Sequence, residues 1–321
     1  MKNRVIFGFV LLIIMALVLF LSQYVVAEVY DAFIVLLMLL AAYEMTRAIE
    51  NKYSKPMFGV IVVFIFVGYA AFKIVHEVNA AFHDSGYGGI TAFFVVLIAM
   101  FIVCFIVNMA SSRHTFENVI STFICMIYPV GIMVYFIGLN YFPGADAGLA
   151  FTGWSYDAYA TGAFVPNYRP IAIIMTFACA AGADIFALFV GKFFKGPKLA
   201  PIISPKKTIS GAIGGLFGGM VAAALVFALS FSGLFGLTGL NENVFISLAL
   251  YLSLGLCIAI STEVGDLMAS YIKRFCEIKD YGTLIPGHGG ALDRIDGTLI
   301  ASMVTYLFIT IVIYFSSMVI V

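Results

Sequence analysis

The chain has 321 residues, of which 63% are hydrophobic and only 11% are charged, with 17 basic and 17 acidic side chains. A soluble domain carries about 25% charged residues, so the composition excludes a soluble globular protein. The net charge of zero indicates no class of partner, because the distribution of charge along a chain matters more than its sum. We expect an all-α, polytopic integral membrane protein.

Nine spans can be placed, since about 20 apolar residues in a helix cross the hydrocarbon core of a bilayer; the second is shorter and nearly touches the first around Glu28 and Asp31. The first is too long for a signal peptide and lacks a small-residue cleavage site, which predicts that it stays in the protein as a helix. The predicted spans are residues 5–27, 29–44, 57–76, 90–110, 119–142, 169–193, 212–236, 244–268 and 298–320.

The orientation follows from the Lys and Arg residues, which accumulate in cytoplasmic loops. With the N-terminus in the cytoplasm, 15 of the 17 basic residues fall inside, and only Lys73 and Arg169 fall outside. An odd number of spans then puts the C-terminus outside. We expect a protein of the cell membrane whose charged loops face the cytoplasm.

The candidate chemistry is concentrated in the second half of the chain. Residues 1–168 are predicted to form helices 1–5 without a dense cluster of functional groups, whereas residues 169–321 form helices 6–9 and their cytoplasmic loops. Six polar residues of the first half are dispersed without ligand spacing, and we interpret them as solvated or interfacial: Glu44, Glu50, His76, His83, Asp84 and His114. The five cysteines have no paired spacing and are interpreted as packing residues.

The end of the eighth span carries a polar stripe. At 100° per residue its five side chains fall within an arc of about 100° and extend about 16 Å along a helix. Carboxylates near membrane level are costly and usually mark function, although an ordinary amphipathic helix end is the alternative. The stripe consists of Glu263, Asp266, Ser270, Lys273 and Arg274.

A glycine-rich turn follows around His288, with Gly289 and Gly290 beside it. Glycines let the backbone approach a ligand closely and direct N–H groups at anionic oxygens. Asp293 and Asp296 stand three apart and share a face if the ninth helix begins there, and their hard oxygens suit Mg²⁺. The alternative is a helix start with Asp in its first turn, stabilised by the helix dipole.

Two further features are candidates for ion binding. Lys206 and Lys207 stand beside hydroxyl groups just before a predicted helix start, which is typical of a phosphate site, although membrane orientation also requires basic inside loops. The glycines in 211–219 are equally consistent with close helix packing. Asp184 lies within the sixth span, which favours function, with a purely structural role as the alternative.

At these residues the chain resembles the phosphatidate cytidylyltransferases, also called CDP-diacylglycerol synthases. The likeness covers residues 180–300, and weaker family motifs are matched by Asp184, by Asp266 and by the run 204–208. Two departures are Ala291, where a larger aliphatic residue is usual, and Ser210, where glutamate is common. The positions that match the signature are Ser270, Ile272, Lys273, Arg274, Lys279, Asp280, Pro286, His288, Gly289, Gly290, Asp293, Arg294 and Asp296.

The resemblance implies transfer of CMP from CTP to phosphatidate, giving CDP-diacylglycerol and pyrophosphate. It also implies Mg²⁺, with a second metal ion left open, a bilayer around the protein, and a homodimer as one option; no nucleic-acid partner is expected. The implied metal ligands are Asp266 and Asp293, with Asp296 and Glu263 as further carboxylates. The implied catalytic residues are Asp266, Asp293, Lys273 and Arg294. Substrate contacts are implied for Ser204, Lys206, Lys207, Thr208, Ser270, Arg274, Lys279, His288, Gly289, Gly290 and Asp184.

Three other interpretations stay open. A transporter or channel could bind a coupling ion at Asp184 and Asp266, although the charge gathers at one membrane face and no pair of broken helices recurs in the two halves. A non-catalytic scaffold would have no need of the intact carboxylates. A CTP-dependent enzyme could also act on another lipid phosphate or alcohol.

Overall fold

The computed structural model describes residues 17–18, 20, 28–81, 88–110, 115–142, 166–282 and 289–319, and most of these residues are helical. The helices overlap the predicted spans, but several bounds differ by up to seven residues: the helix predicted at 29–44 ends at Glu50, the one predicted at 244–268 ends at Phe275, and the one predicted at 298–320 begins at Leu292. In the described ranges the helices are α1 (Glu28–Glu50), α2 (Phe58–Ala81), α3 (Gly88–Ala110), α4 (Phe116–Cys125), α5 (Ile132–Leu139), α6 (Tyr168–Phe194), α7 (Ile209–Ser230), α8 (Val244–Phe275) and α9 (Leu292–Val319).

Eight helical segments of the described residues are long and apolar enough to cross a membrane, and they confirm eight of the nine predicted spans. One of them, Phe116–Leu139, joins α4 to α5 through a π-helical segment that contains Pro129. Proline lacks an N–H and its ring crowds the preceding turn, which explains the irregular backbone there. The predicted span 5–27 lies outside the described residues apart from three positions. The chain is an all-α polytopic membrane protein.

The chain forms two compact units. The first unit comprises Met1–Ile137 with Ile272–Ile295, and the second comprises Gly138–Tyr271 with Asp296–Val321. Both α8 and α9 therefore contribute to each unit. The predicted division of function at residue 168 stays a prediction.

Small residues let the helices of the second unit approach one another closely. A Cβ on Gly218 of α7 would lie 2.5 Å from the carbonyl oxygen of Gly182 in α6, and one on Gly219 would lie 2.9 Å from that of Gly255 in α8. Any larger side chain would force these helices apart. The packing interpretation of the glycines in 211–219 is therefore confirmed at these two positions.

Helices α8 and α9 also meet at a glycine within the second unit. A Cβ on Gly265 would lie 2.8 Å from the carbonyl oxygen of Asp296 and 3.0 Å from that of Gly297. The backbone beside Asp266 is thus in van der Waals contact with the backbone of Asp296. This contact brings the segments that carry two of the predicted metal ligands together.

A short β-hairpin connects α6 to α7, which the sequence analysis did not predict. Its strands, β1 (Lys198–Ala200) and β2 (Ser204–Thr208), pair antiparallel, with Lys198 opposite Thr208. Thr208 ends β2 and caps α7, since its side-chain oxygen accepts a hydrogen bond from the Gly211 N–H at 3.1 Å. Such a cap satisfies one of the free N–H groups of a helix start. The predicted helix start after the two lysines is confirmed.

Candidate active site

A lysine and two carboxylates form an ion cluster in the second unit. The Nζ of Lys207 lies 2.7 Å from Oε2 of Glu263 and 2.7 Å from Oδ2 of Asp266. The two acids stand three residues apart on α8, so they share one face of the helix. Their side chains are 12% and 33% exposed, and that of Lys207 is 20% exposed, so the charges are partly shielded from solvent. We call this group the Lys207 cluster.

The hairpin holds Lys207 in place. Lys207 precedes the helix cap Thr208, and the side chain of Thr208 is buried. The next turn is tied down as well, because the Ser210 hydroxyl donates to the carbonyl oxygen of Lys195. A glutamate at position 210 could only accept a hydrogen bond and could not make this contact when ionised. Ser210 therefore serves local structure here.

The cluster keeps Lys207 charged. Burial by itself would lower the pKa of Lys207, but the carboxylates of Asp266 and Glu263 outweigh burial and raise the pKa above the ordinary 10.5. Lys207 is thus protonated at physiological pH. Its contribution to stability is present below the ordinary pKa and is lost only as the pH rises through the raised one.

A second cluster surrounds Asp293 in the first unit. Its Oδ1 accepts a hydrogen bond from Lys273 at 2.9 Å, and its Oδ2 accepts the backbone N–H groups of Tyr281 at 2.7 Å and Gly290 at 3.0 Å. The Asp293 side chain is only 3% exposed. Asp293 thus ties the end of α8, the following loop and the start of α9 to one carboxylate.

Glu44 takes part in the same region, which the sequence analysis missed. Its two oxygens accept the backbone N–H groups of Ala291 and Leu292, each at 2.8 Å. Glu44 and His76 are both buried, so their interpretation as solvated or interfacial residues was wrong. The signal for Glu44 was a lone carboxylate at the end of an apolar span, a position where an acid is costly.

Three glycines make room for these two carboxylates. A Cβ on Gly282 would lie 2.5 Å from Oε1 of Glu44, and one on Gly290 would overlap the same carboxylate. Gly289 has φ +84°, which L side chains rarely adopt, and a Cβ there would lie 2.8 Å from Oδ2 of Asp293. Within the first unit, the space that these glycines leave is therefore occupied by the carboxylates of Glu44 and Asp293.

The other residues singled out from the sequence are placed as follows. Ser270 and Asp296 are partly exposed, and Asp296 accepts the N–H of Gly297 at 2.8 Å. His288 lies outside the described residues, and the N–H of Gly290 is donated to Asp293. Ser204 is partly exposed. The side chains exposed at the surface are those of Asp184, Lys206, Arg274, Lys279 and Arg294.

The Lys207 cluster is compatible with a metal ion, although the described residues include no group of three or more His, Cys, Asp or Glu arranged to hold one. Glu263 and Asp266 supply hard carboxylate oxygens that already face one cation, the ammonium of Lys207. Mg²⁺ typically uses one or two carboxylates and completes its shell with water and substrate phosphate. The donor set therefore fits Mg²⁺.

Comparison with known proteins places the chain in a family. A model described as the cytidylyltransferase family matches residues 2–312, nearly the whole chain. The chain belongs to the cytidylyltransferase family. In this family member, the described residues of the matched region include both the Lys207 cluster and the acids around Gly290.

Curated relatives of this cytidylyltransferase-family protein carry a more specific name. A phosphatidate cytidylyltransferase of Rickettsia conorii is 42% identical over 137 residues, which are 42% of this chain and 56% of the relative. A protein of the same name from Brucella abortus is 39% identical over 163 residues, 50% of this chain and 55% of the relative. The chain thus spans about half the length of the curated relatives it matches.

Proposed function

We propose that this protein transfers CMP from CTP to phosphatidate and forms CDP-diacylglycerol and pyrophosphate. The family supports a cytidylyl transfer, and the names of the curated relatives support phosphatidate as the acceptor. The observation that carries the proposal is the Lys207 cluster, in which an ammonium lies 2.7 Å from each of two carboxylates at the end of an apolar helix. Such a centre suits a triphosphate together with a metal ion.

The proposed reaction needs no covalent intermediate on the protein. A phosphate oxygen of phosphatidate attacks the α-phosphorus of CTP in line, and a new P–O bond forms. The bond from the α-phosphorus to the bridging oxygen breaks, and pyrophosphate leaves with that electron pair. The protein supplies position and countercharge, which dominate catalysis of phosphoryl transfer.

In this proposal, cationic side chains bind the phosphate groups of CTP and phosphatidate. Lys207 would bind phosphate oxygens when it turns from the carboxylates, and Lys206 precedes it in the same hairpin. Lys273 and Arg294 would neutralise charge on the reacting groups, and Arg274 would hold the triphosphate or lipid headgroup. A lysine acts as a point charge, whereas an arginine adds bidentate hydrogen bonding to phosphate.

We also propose Mg²⁺ as the cofactor, with Asp266 and Asp293 as ligands and Asp296 and Glu263 as further carboxylates. The ion would neutralise charge on the phosphates when it is bound. The contact of the Gly265 backbone with that of Asp296 supports a shared role for Asp266 and Asp296.

A coupled assay tests the function directly. Purified protein in detergent, given CTP, Mg²⁺ and phosphatidate, should release pyrophosphate in step with the CDP-diacylglycerol formed. Diacylglycerol, which lacks the attacking phosphate, is the control acceptor and should give no product. Pyrophosphate release without phosphatidate, or none with it, would contradict the proposal. CTP-independent ion uptake into proteoliposomes would favour a transporter instead.

The orientation is part of the proposal, with the N-terminus and the candidate site on the cytoplasmic side. The basic residues of the segments 196–210 and 276–282 support it, because such residues accumulate in cytoplasmic loops. Cytoplasmic CTP could then meet a lipid that stays in the bilayer.

Cysteine labelling checks this orientation. In a background without the native cysteines, single cysteines placed in 196–206 and 277–282 should react with an impermeant maleimide only from the cytoplasmic side. Cysteines placed in 144–160 should react only from outside. Labelling of both sets from one side would contradict the nine-span topology.

A further inference from the structure

We propose that Glu44 is a positioning residue of the reaction. Its carboxylate, carried by α1, holds the backbone of Ala291 and Leu292 and thereby the acid Asp293, a role that rests on the proposed function. No candidate chemistry was assigned to the helices of residues 1–168, and Glu44 links that region to the candidate site.

The contact is specific in its geometry. Oε1 of Glu44 accepts the N–H of Ala291 and Oε2 accepts the N–H of Leu292, both at 2.8 Å. The two donors are consecutive, and Leu292 is the first residue of α9. The first N–H groups of a helix lack partners within the helix and carry a partial positive charge. A carboxylate is the side chain that such donors favour.

Glu44 and Asp293 act on adjacent N–H groups. Asp293 accepts the N–H of Gly290, and Glu44 accepts the two that follow, so two acids satisfy three successive backbone donors. In this conformation of the turn all three donors are therefore paired. Because Asp293 also holds Lys273 at 2.9 Å, a shift of this turn would move both the acid and the lysine.

The residues that surround the Glu44 side chain leave space for its carboxylate. Gly282 and Gly290 flank it, and a methyl group on either would collide with its oxygens. Glu44 itself is only 6% exposed. An apolar side chain in this place would leave the buried N–H groups of Ala291 and Leu292 without an acceptor, and an unpaired buried donor is costly. Packing alone therefore does not explain an acid at this position.

The two residues Lys52 and Tyr53, which follow α1, contact the chain at the end of α8 and just after it. The ring of Tyr53 stacks on that of Phe275, with centroids 4.5 Å apart, and its hydroxyl donates to the Phe275 carbonyl oxygen at 3.1 Å. Lys52 pairs with Glu277 in the next turn. The end of α1 and the residues after it therefore contact the chain both before Tyr281, at Phe275 and Glu277, and after it, at Ala291 and Leu292. These contacts fix the position from which Glu44 holds the turn.

Glu44→Gln tests the role, with Glu50→Gln as the matched control. Both remove one negative charge from α1, but Glu50 is exposed and pairs only loosely, at 3.5 Å, with Lys55. Glu44→Gln should lower kcat by about 10–100-fold, because losses of this size are typical when a residue that orients a reacting group, here Asp293, is removed. KM for CTP and phosphatidate should stay within about twofold, because Glu44 touches no substrate in the proposal. Glu50→Gln should match the wild type.

Amide exchange provides a readout that is independent of turnover. Without nucleotide or lipid, hydrogen exchange at the amides of Ala291 and Leu292 should be at least about tenfold faster in Glu44→Gln, because an amide side chain cannot accept both N–H groups as a carboxylate does. Exchange within α7 should be unchanged. An active Glu44→Gln variant with unaltered kcat, or with unaltered exchange, would overturn the role of Glu44. Absence of turnover in the wild type would overturn the proposed function instead.

A second variant covers the case in which Glu44→Gln does not fold. Gly282→Ala places a methyl group 2.5 Å from Oε1 of Glu44 and displaces the carboxylate without removing its charge. It should lower kcat with little change in KM and speed exchange at the same two amides. If neither variant folds in detergent, the contact serves the fold as a whole, and the positioning role is wrong.

Discussion

Asp266→Asn is expected to lower turnover by at least about 100-fold while the protein still folds and inserts, if Asp266 binds the catalytic metal. The asparagine keeps the shape of the side chain and removes one charge. Lys207 retains its other partner, Glu263 at 2.7 Å, so no buried cation is left without a counter-charge. The loss should therefore fall on catalysis and metal binding rather than on folding.

Titration with Mg²⁺ separates this loss from a general defect. The concentration of Mg²⁺ that gives half-maximal turnover should rise in Asp266→Asn, because one anionic ligand is gone. Glu242→Gln is the control, since Glu242 is an exposed acid of the same unit in the loop before α8. Near wild-type turnover with unchanged Mg²⁺ dependence would show that Asp266 is not a metal ligand.

Asp293→Asn should abolish turnover and also reduce stability. Asp293 accepts hydrogen bonds from Lys273, Tyr281 and Gly290, and an asparagine amide would face one of these donors with a donor of its own. Lys273 would be left partly buried, at 13% exposed, without this counter-charge. Removing one partner of a buried pair costs about 3–5 kcal/mol. A lower melting temperature should therefore accompany the loss of activity.

The double variant Asp293→Asn with Lys273→Met separates the two effects. Removing the unpaired ammonium should restore much of the melting temperature, since no isolated charge is then buried. Turnover should stay low, because both groups are proposed to act in the reaction. If Asp293→Asn alone keeps wild-type turnover and Mg²⁺ dependence, Asp293 serves only the conformation of the loop.

The helices were predictable because their signals are local. Runs of apolar residues as long as Val244–Phe275 identify a spanning helix without reference to any other segment. The same is true of the polar face at Glu263 and Asp266, since a helix of fixed pitch determines which positions share a side. The ninth span was predicted to begin at residue 298, six residues after the start of α9 at Leu292, although the glycines and acids there had suggested a helix start as one interpretation.

The hairpin was missed because short strands have a weak signal. Ser204–Thr208 has only five residues and includes a proline, which is uncommon within a strand. Its lysines also gave no indication of a strand, because basic residues are expected in any cytoplasmic loop. Its pairing with Lys198–Ala200 depends on how the chain returns to α7 rather than on any alternation within the strand.

The sequence by itself determined that this is a polytopic helical membrane protein, where most of its spans lie, and which charged residues form its family signature. Only the tertiary structure decided the partners of those charges. Lys207 meets Glu263 from 56 residues away, and Glu44 meets Ala291 from 247 residues away. The physical reason is that spans and helix faces follow from local periodicity and hydrophobicity. Contacts between distant residues depend on helix packing, and here that packing is governed by glycines whose neighbours a single sequence does not name.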